Sequence, residues 1–565
     1  MYAQAYADDV AGLIIGKDPP TLVGIANRFM RRAEEWGKQH DLVFSKTKTE
    51  IVVFTRLKKW NPARPFQMGG TRLAVSKTAK YLGVTLDSRL SFNPHIEGKV
   101  KAATQLLHRA GRLVGKTWGL TPSRARWVYT AMVRPFISYG AICWAKATAT
   151  AKCETSLRKL QRIALIQITA TYPSSPTAAL EMLTGIRPLH LHVREMAIMA
   201  SVRLGREHHW QQRKTFPHRG WLNTHSDFCN RIREGIPELQ MPEEETGLSW
   251  LESPSFSTHI GDRLEATGRT FGERDVICYT DGSKLDDGKA GAGAVIMEDG
   301  HEAALHEHLG KTTTVYQAEV RAIELATGHL LESGTSGRTI VFRVDNRAAI
   351  QSLGCPRTSK RSVKECFKAL QKLSQNNMVT IEWVPGHAGV PGNEWADAEA
   401  KKGAKEAPFG PEPFAPVADA FIKERVATFF EGEHQNAWWG ENRFRMTKES
   451  VGWAGKTLPK RLLGLNRESL RHLVQLITGH CILEQHRFRS NPLVEDPICP
   501  KCGEEVDTPQ HLVGVCNRYR RLRESIFGSE QISLMEELHH LNIRKIARFC
   551  KLSRRFVFGD DSSTD

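Results

Sequence analysis

The sequence predicts a multidomain protein with both α/β and all-α parts, in which one α/β domain lies near the middle of the chain. Three observations lead to this prediction. The chain has 565 residues, strand patterns alternate with an amphipathic helix between residues 273 and 406, and helical periodicity dominates elsewhere. A chain of this length ordinarily forms about three or four domains, and its 40% hydrophobic content is enough to fill their cores.

The chain opens with MYAQAYADDVAGLI, in which Asp8 and Asp9 stand between two apolar segments. This pattern predicts a hairpin, and two adjacent carboxylates at its turn can hold a divalent metal for nucleotidyl transfer. Asp-Asp is also a common turn dipeptide that needs no metal. The motif alone therefore leaves both interpretations open.

The segments DLVFSKTKTEIVVFTR and KYLGVTLDSRLSFNPHIE follow, and with YADD they resemble the end of a reverse transcriptase palm from non-LTR (LINE-type) retrotransposons. The resemblance implies that residues 1–90 are a truncated palm, since the fingers and the first metal-binding Asp are absent. Asp8 and Asp9 would then be vestigial. We expect no polymerase activity unless upstream sequence supplies the missing parts. The family also implies an intracellular location, with the nucleus favoured over the cytoplasm.

Residues 91–205 show helical periodicity punctuated by prolines, and the resemblance implies a thumb with a helical extension. The stretch from Lys99 to Arg134 is basic and contains no Asp or Glu, and Trp118, Trp127 and Tyr129 lie within it. Together with a formal net charge of +17, this pattern predicts binding to a nucleic-acid backbone. The alternative is a solvated basic face whose aromatic residues belong to the core.

The sequence contains no run of 18 apolar residues and no signal pattern at its start, which argues against a membrane partner or secretion. Its oligomeric state cannot be inferred. Residues 206–272 are rich in polar residues and proline, and they predict a linker. A new domain is expected over residues 273–406.

Three successive segments of this domain, RDVICYTDGSK, KAGAGAVIME and HEAALHEHLG, predict an antiparallel meander. An amphipathic helix follows, and then GRTIVFRVDN and VTIEWV predict a fourth and a fifth strand. A crossover through the helix places the first and fourth strands parallel and adjacent. The expected fold is therefore a five-stranded mixed sheet with helices.

Acidic residues follow this framework. Asp281 and Asp345 are expected at neighbouring strand ends, Glu319 on the crossover helix and Asp397 near the start of the last helix. Four carboxylates at one point repel one another, and two divalent cations both relieve the repulsion and activate water for phosphodiester hydrolysis. Hard oxygen ligands favour Mg²⁺ or Mn²⁺.

This region resembles type 1 ribonuclease H in the segments Asp281-Gly282-Ser283 and GHAGVPGNEWAD (386–397), and at Gln317 and Asn346. The resemblance implies that the four carboxylates hold two metal ions and that His387 assists proton transfer or product release. It also implies contacts to the RNA–DNA hybrid, which we assign to Gly282, Ser283, Gln317 and Asn346. The 2′-hydroxyls distinguish the RNA strand in such a hybrid.

Two classes of function are consistent with the whole chain. One is a ribonuclease that cuts the RNA strand of RNA–DNA hybrids within a retrotransposon polyprotein, with the hybrid and a template RNA as partners. The other is a non-catalytic remnant that only binds nucleic acid. The complete acidic set favours the first, while the His387 loop and GNEWAD argue against a transposase or integrase of the same superfold.

The last part of the chain predicts a linker over 407–420, a helical region over 421–495, a small metal module over 496–520 and a C-terminal helix and tail over 521–565. The module has the spacing Cys499-x2-Cys502-x8-His511-x4-Cys516. Three thiols and an imidazole at this spacing can surround one structural Zn²⁺ tetrahedrally. The spacing resembles the C-terminal Cys-Cys-His-Cys motif of non-LTR elements. Free intracellular thiols with a surface histidine are the alternative.

Overall fold

The protein is described by a computed structural model that covers all residues except 56–59, 61, 63, 207–227, 407–409, 411–414, 442, 443, 541 and 557–565. The chain forms two compact units. One comprises Ile198–Phe429, and the other comprises Met1–Ala197 and Phe430–Asp565. The first is called the central unit below, and the second the flanking unit.

The central unit consists of strands and helices that we label in chain order. The strands are β1 (Glu245–Trp250), β2 (Ser257–His259), β3 (Val276–Lys284), β4 (Ala290–Glu298), β5 (His301–Gly310), β6 (Thr339–Val344), β7 (Arg357–Lys360) and β8 (Met378–Trp383). The helices are α1 (Arg263–Gly268), α2 (Val315–Glu332), α3 (Arg347–Leu353), α4 (Arg361–Leu373) and α5 (Pro391–Lys405), with a 3₁₀ turn at Pro237–Gln240. A further helix, Asp419–Gly440, spans the boundary between the units.

The main sheet has the strand order β2-β8-β6-β3-β4-β5. The first four strands are parallel neighbours, and β3, β4 and β5 pair antiparallel. The five predicted strands are present, and β3 and β6 are parallel and adjacent as expected. The sheet nevertheless has six strands, because β2 pairs with β8 from within the segment that we predicted to be a linker.

The core of this unit lies between the sheet and the helices α2 and α4. Helix α2 begins with a capping box, in which Thr314 and Gln317 satisfy each other's backbone N–H groups. Its apolar face, which includes Val320, Ile323 and Leu330, is fully buried against Phe342 and other sheet residues. Burial of this face fixes the rotation of α2, and hence where Glu319 points along the sheet.

The predicted linker over residues 206–272 is wrong for its second half, which belongs to the domain. Phe256 is 5% exposed and packs edge to face on Phe367, with ring centroids 5.4 Å apart. Helix α1 is connected to the sheet through Arg343, whose guanidinium donates to the Ala266 carbonyl and forms a buried ion pair with Glu382. Arg343 on β6 lies 3.3 Å from Glu382 on β8, and Arg269 also pairs with Glu382. Short polar strands such as β2 carry too little pattern to be recognised in sequence.

The flanking unit contains short strands and many helices. Its strands are Tyr2–Tyr6, Asp9–Leu13, Ile51–Val52, Phe66–Met68, Thr71–Leu73, Val75–Ser76, Thr78–Tyr81 and Val84–Asp87. Its helices before the central unit are Pro19–Gln39, Asn93–Gly111, Pro122–Val128, Tyr129–Val133, Arg134–Ser138, Ala141–Trp144, Ala145–Ala149, Ala151–Thr169, Thr177–Thr184 and Leu189–Arg206, the last of which crosses into the central unit. Those after it are Arg445–Val451, Thr457–Leu463, Arg467–Thr478, Glu484–Ser490, His511–Val515, Asn517–Tyr519, Arg520–Phe527, Leu534–His539 and Ile543–Ser553.

Helices from the predicted thumb and from the predicted C-terminal helical region share one core. The connection centres on Arg467, which is 4% exposed. Its guanidinium donates to the carbonyl oxygens of Gly115 (2.7 Å), Leu120 (2.9 Å) and Gln167 (2.6 Å). Within the described residues, no helix is both long enough and apolar enough to cross a bilayer.

If residues 243–272 belong to the domain, Phe256→Ala in a fragment spanning 243–429 removes a buried aromatic ring. We expect a loss of about 3–5 kcal/mol in the free energy of unfolding. Leu264→Ala is the matched control, because this side chain lies on α1 in the same segment and is 83% exposed; it should change stability by less than about 0.5 kcal/mol. Urea unfolding measures both. Equal, small effects would restore the linker interpretation.

Candidate active site

Three carboxylates meet at one edge of the main sheet. Thr280 on β3 is the register partner of Val344 on β6, so the next residues, Asp281 and Asp345, lie side by side. Glu319 reaches them from α2. One oxygen of each carboxylate lies within 4.8 Å of the others. The predicted meeting of these three side chains is therefore present, although β3 continues to Lys284 rather than ending at Asp281.

Gly282 permits this approach. A Cβ atom at this position would overlap the backbone of Ala318 and Glu319, so only glycine lets α2 lie against β3 at this level. The Gly282 backbone also hydrogen-bonds the Glu319 carboxylate. The close contact between strand and helix thus sets the distance between Asp281 and Glu319.

The electrostatic cost of the cluster appears in the pKa values of its members. Burial, together with the charges of Asp345 and Asp397, raises the pKa of Asp281 to about 7. Burial and the charges of Asp281 and Asp345 hold the pKa of Glu319 well above its ordinary value. Burial also raises the pKa of Asp345. Glu319 Oε2 is buried and accepts no hydrogen bond within the described part of the chain.

Asp397 lies next to this group but does not belong to the triangle of the other three. Helix α5 begins at Pro391, earlier than predicted, and places Asp397 close enough to Asp281 to share a hydrogen bond. Its Oδ2 also forms an ion pair at 2.5 Å with Lys401, one turn further along α5. Three of the four predicted carboxylates therefore form one compact group. The fourth, Asp397, lies beside them and pairs with Lys401 at spacing i, i+4.

His387 is exposed in the loop between β8 and α5, and it lies close enough to Asp345 to offset part of the rise in pKa that burial causes there. The preceding residue is Gly386, where a Cβ would stand 2.6 Å from Asp345 Oδ2. A larger residue at 386 would push the loop away from the carboxylate. His387 therefore lies in a loop, as predicted, and this loop passes next to Asp345.

The four residues assigned to substrate contact have different surroundings. Asn346 caps α3 through its Oδ1 and hydrogen-bonds Glu319, while Gly282 supports Glu319 as described above. Ser283 lies on β3 and is half-buried. Gln317 is 2% exposed, and its amide bonds to Thr314 and, at 2.5 Å, to the Pro416 carbonyl. These bonds give Gln317 a structural role in capping α2, and its contact with substrate stays a prediction.

Sequence reasoning missed three residues that support the carboxylates. Trp383 donates from Nε1 to the Asp345 carbonyl at 3.0 Å, Asn393 hydrogen-bonds the Asp345 side chain, and Lys401 pairs with Asp397. The Asp397–Lys401 spacing on a predicted helix was a readable signal. Trp383 carried no signal, since only the fold brings its indole to Asp345.

Comparison with known proteins agrees with this geometry. The sequence model of the RNase H family matches residues 273–405. A protein named Ribonuclease H from Polynucleobacter asymbioticus is 33% identical over 141 residues, which cover 23% of this chain and 90% of that protein. This chain belongs to the ribonuclease H family.

Other relatives are larger. The putative 115 kDa protein in the type-1 retrotransposable element R1DM of Drosophila melanogaster is 26% identical over 201 residues, which cover 36% of this chain and 20% of that protein. The chain therefore matches about a fifth of the length of such relatives.

A solved structure resembles the ribonuclease H domain alone. RNase H1 from Halobacterium salinarum is 26% identical, and the match covers 24% of this chain and 99% of that one with a TM-score of 0.20.

A second group of metal-ligating side chains lies outside the ribonuclease H domain, in the flanking unit. One ligand atom from each of Cys499, Cys502, His511 and Cys516 lies within 4.8 Å of the others. Gly503, with φ of +69°, closes the turn that follows Cys499-x2-Cys502, and its N–H donates to the Cys499 carbonyl at 2.8 Å. The fold therefore brings together all four residues that the sequence spacing predicted.

Glu505 was not singled out in the sequence, although it contacts this second group. Its Oε2 lies 2.9 Å from His511 Nδ1, while His511 Nε2 lies 3.2 Å from Cys502 Sγ. A carboxylate on Nδ1 fixes the ring and leaves Nε2 as the ligand atom. Burial and the neighbouring Cys499 and Cys502 raise the pKa of Cys516 to about 12. For Cys502, backbone N–H donors outweigh burial and lower the pKa.

The N-terminal carboxylates have no comparable surroundings. Tyr2–Tyr6 and Asp9–Leu13 form the predicted hairpin, with Asp8 in its turn. Among the described residues, neither Asp8 nor Asp9 belongs to a group of three side chains able to hold a metal. In the basic stretch that follows, Trp118 and Trp127 are exposed as predicted for stacking, whereas Tyr129 is buried and donates to Gln161.

The raised pKa values predict how the stability of the ribonuclease H domain depends on pH without divalent metal. An acid whose pKa is raised by folding stabilises the folded state below its unfolded pKa, and this contribution is lost as pH rises through the folded value. For Asp281 the loss falls between about pH 4 and pH 7. We expect thermal stability in EDTA to decrease over this range by on the order of 3 kcal/mol more in the wild type than in Asp281→Asn.

Mg²⁺ should reduce this difference, because bound cations favour the ionised carboxylates. The measurement is thermal unfolding of the fragment 243–429 at several pH values, with and without Mg²⁺. Glu302→Gln, an exposed charge change on β5, serves as the control and should follow the wild type. Identical pH profiles for wild type and Asp281→Asn would contradict the electrostatic coupling.

Proposed function

We propose that the ribonuclease H domain of this chain is a metal-dependent endonuclease that cuts the RNA strand of RNA–DNA hybrids. The observation that carries the proposal is the triangle of the buried Asp281 and Glu319 and the half-buried Asp345, in which one oxygen of each carboxylate lies within 4.8 Å of the others. Cationic or hydrogen-bonding partners would relieve the repulsion in such a cluster if its role were structural. Instead, one oxygen of Glu319 is buried without a donor in the described part of the chain.

The donor set is suited to Mg²⁺ or Mn²⁺, because its ligands are hard carboxylate oxygens. We propose that Asp281, Glu319, Asp345 and the adjacent Asp397 hold two such ions, which supply Lewis-acid stabilisation and an activated water for phosphodiester hydrolysis. In this arrangement Lys401 holds Asp397 beside the triangle. Asn346 and the Gly282 backbone orient the Glu319 carboxylate.

His387 is proposed to transfer a proton or to aid product release. It lies in an exposed loop that begins at Gly386, next to Asp345. An exposed imidazole at this position is accessible to both solvent and a bound substrate, and imidazoles commonly act as general acids or bases. Its contribution should be smaller than that of the metal ligands.

Substrate choice in this proposal depends on the 2′-hydroxyls of the RNA strand, which a wide and shallow minor groove exposes. Ser283 is half-buried on β3, two residues from Asp281, and is the best remaining candidate for such a contact. Binding through phosphates implies little sequence preference and an affinity that falls steeply with salt. In the cell, we propose that the chain works as part of a retrotransposon polyprotein on nuclear RNA–DNA hybrids.

We further propose that Cys499, Cys502, His511 and Cys516 bind one structural Zn²⁺. Three sulfurs and one imidazole nitrogen form a closed tetrahedral set of the kind that zinc prefers. The Glu505 carboxylate supports this assignment, since it occupies His511 Nδ1 and leaves Nε2 toward the cysteines.

The first test is cleavage of a labelled RNA–DNA hybrid at low salt with Mg²⁺ or Mn²⁺. Asp345→Asn removes a charge and a ligand, so we expect turnover to fall at least about 100-fold while hybrid binding is retained. His387→Ala should slow the reaction less. Glu302→Gln is the charge-matched control and should cut like the wild type.

Two outcomes of this test would count against the proposal. Equal cutting by wild type and Asp345→Asn would indicate a contaminating nuclease. A folded wild type that binds the hybrid but cuts it with neither metal would favour a domain that only binds nucleic acid. Single-stranded RNA and duplex DNA should stay intact in every lane.

The second test concerns zinc. Structural zinc contributes on the order of 10–16 kcal/mol to the folding of small domains, so Cys499→Ser should lose the metal and unfold the region around residue 499. Glu505→Ala should weaken zinc binding by about 10- to 100-fold. Cys355→Ser, at an exposed cysteine of the ribonuclease H domain, is the control. Elemental analysis and chelator-dependent melting report the result, and a purified protein without zinc would refute the site.

A further inference from the structure

A cavity of about 490 Å³ lies within the flanking unit, and its lining includes no residue of either group of metal ligands. One wall comes from the helices Pro122–Val128 and Thr177–Thr184. The other wall comes from the region around Thr457–Leu463 and from the second half of Asp419–Gly440. The side chains that carry the argument are Arg126, Arg187, Glu431, Trp453, Lys456 and Lys460.

The cavity is strongly cationic. Four of its lining side chains are Arg or Lys, and the carboxylates that face them offset little of this charge. Glu431 lies 3.6 Å from Arg187 and is balanced by it. Burial raises the pKa of Glu181 to about 8, so this residue is largely neutral at pH 7. Burial likewise lowers the pKa of His434 to about 4, which leaves it uncharged.

Three of the cations are not neutralised by the protein. Arg126 donates to the backbone carbonyls of Thr184 (3.0 Å) and Gly185 (3.2 Å), which orient its guanidinium without cancelling the charge. Burial lowers its pKa, a sign that the charged form is held at a cost. Within the described residues, Lys456 and Lys460 form no ion pair; Lys456 is the N-cap of Thr457–Leu463, Lys460 lies in that helix, and both side chains line the cavity from exposed positions. An anion bound in the cavity would pair with the charges of all three side chains.

Trp453 lines the same cavity and is only partly buried. It contacts the neutral His434 edge to face, with ring centroids 5.3 Å apart. An indole beside several cations is the combination that proteins use for single-stranded nucleic acid, in which phosphates meet Lys or Arg and an unpaired base stacks on the aromatic ring. A volume near 500 Å³ is of small-ligand size.

We infer that this cavity binds a single-stranded nucleic-acid segment, with phosphates at Arg126, Lys456 and Lys460 and one base against Trp453. A duplex does not fit this description, because its bases are stacked and paired and its width is far larger than the cavity. The site is distinct from the hybrid-cutting site proposed above and does not depend on it. Through this site the flanking unit would bind unpaired strands.

The test uses the full-length chain and a fluorescently labelled single-stranded RNA of eight nucleotides. Lys456→Glu/Lys460→Glu should weaken binding at least 10-fold in fluorescence anisotropy. It should also lower the slope of log K against log salt by about 1.4, since each lost phosphate contact on a single strand accounts for about 0.7. Trp453→Phe should weaken binding and remove part of the tryptophan quenching that accompanies it.

The control variant is Lys545→Glu/Lys551→Glu, which reverses two exposed lysines on Ile543–Ser553, outside the cavity. It should bind within 2-fold of the wild type, and all variants should melt with the wild type. An equal loss in the control would overturn the proposal in favour of diffuse attraction. Competition by AMP or inorganic phosphate as strong as by the oligonucleotide would overturn it in favour of a small-anion site. Unchanged binding by the cavity variant would refute it outright.

Discussion

Repulsion between buried carboxylates is the constraint on which the ribonuclease H domain depends. Burial raises the pKa values of Asp281, Glu319 and Asp345, and the charge of Asp345 adds to this effect for the other two, so the fold must force the three together. It does so through backbone contacts that tolerate no side chain. Gly282 lets α2 lie on β3, Gly293 lets α5 lie on β4, and Gly386 lets the His387 loop pass Asp345. Close packing at three helix or loop contacts, rather than local ion pairing, therefore keeps the mutually repelling carboxylates together.

Much of this arrangement could be predicted from the sequence, because it rests on local patterns. Alternating and apolar runs marked β3 to β6 and β8, and the order of strand and helix implied that Asp281 and Asp345 would be neighbours. What failed was decided by tertiary context. The three polar residues of β2 become a strand only because β8 offers a free edge. The fold likewise determines the partners of Gln317, because the cap of α2 and the Pro416 carbonyl bind its amide.

The second metal-ligating group shows the same division. Spacing alone identified Cys499, Cys502, His511 and Cys516, since a short loop and one helical turn bring ligands together wherever the module sits. Glu504 and Glu505 are adjacent in sequence, and only the fold selects Glu505 for His511. The cationic cavity could not be predicted from the sequence, because one wall comes from residues before the ribonuclease H domain and the other from residues after it.

The segment before the family match is connected to the carboxylate group through two strands. Arg343 precedes Asp345 by two residues on β6, and Glu382 directly precedes Trp383 on β8. Trp383 donates to the Asp345 carbonyl, and Arg347 stacks on its indole at 3.8 Å. The Arg343–Glu382 pair is buried and would be costly without further partners. Arg269 and the Ala266 carbonyl supply them from residues 257–272. These residues therefore fix the ends of the two strands that orient Asp345, which makes them part of the ribonuclease H domain rather than a linker to it.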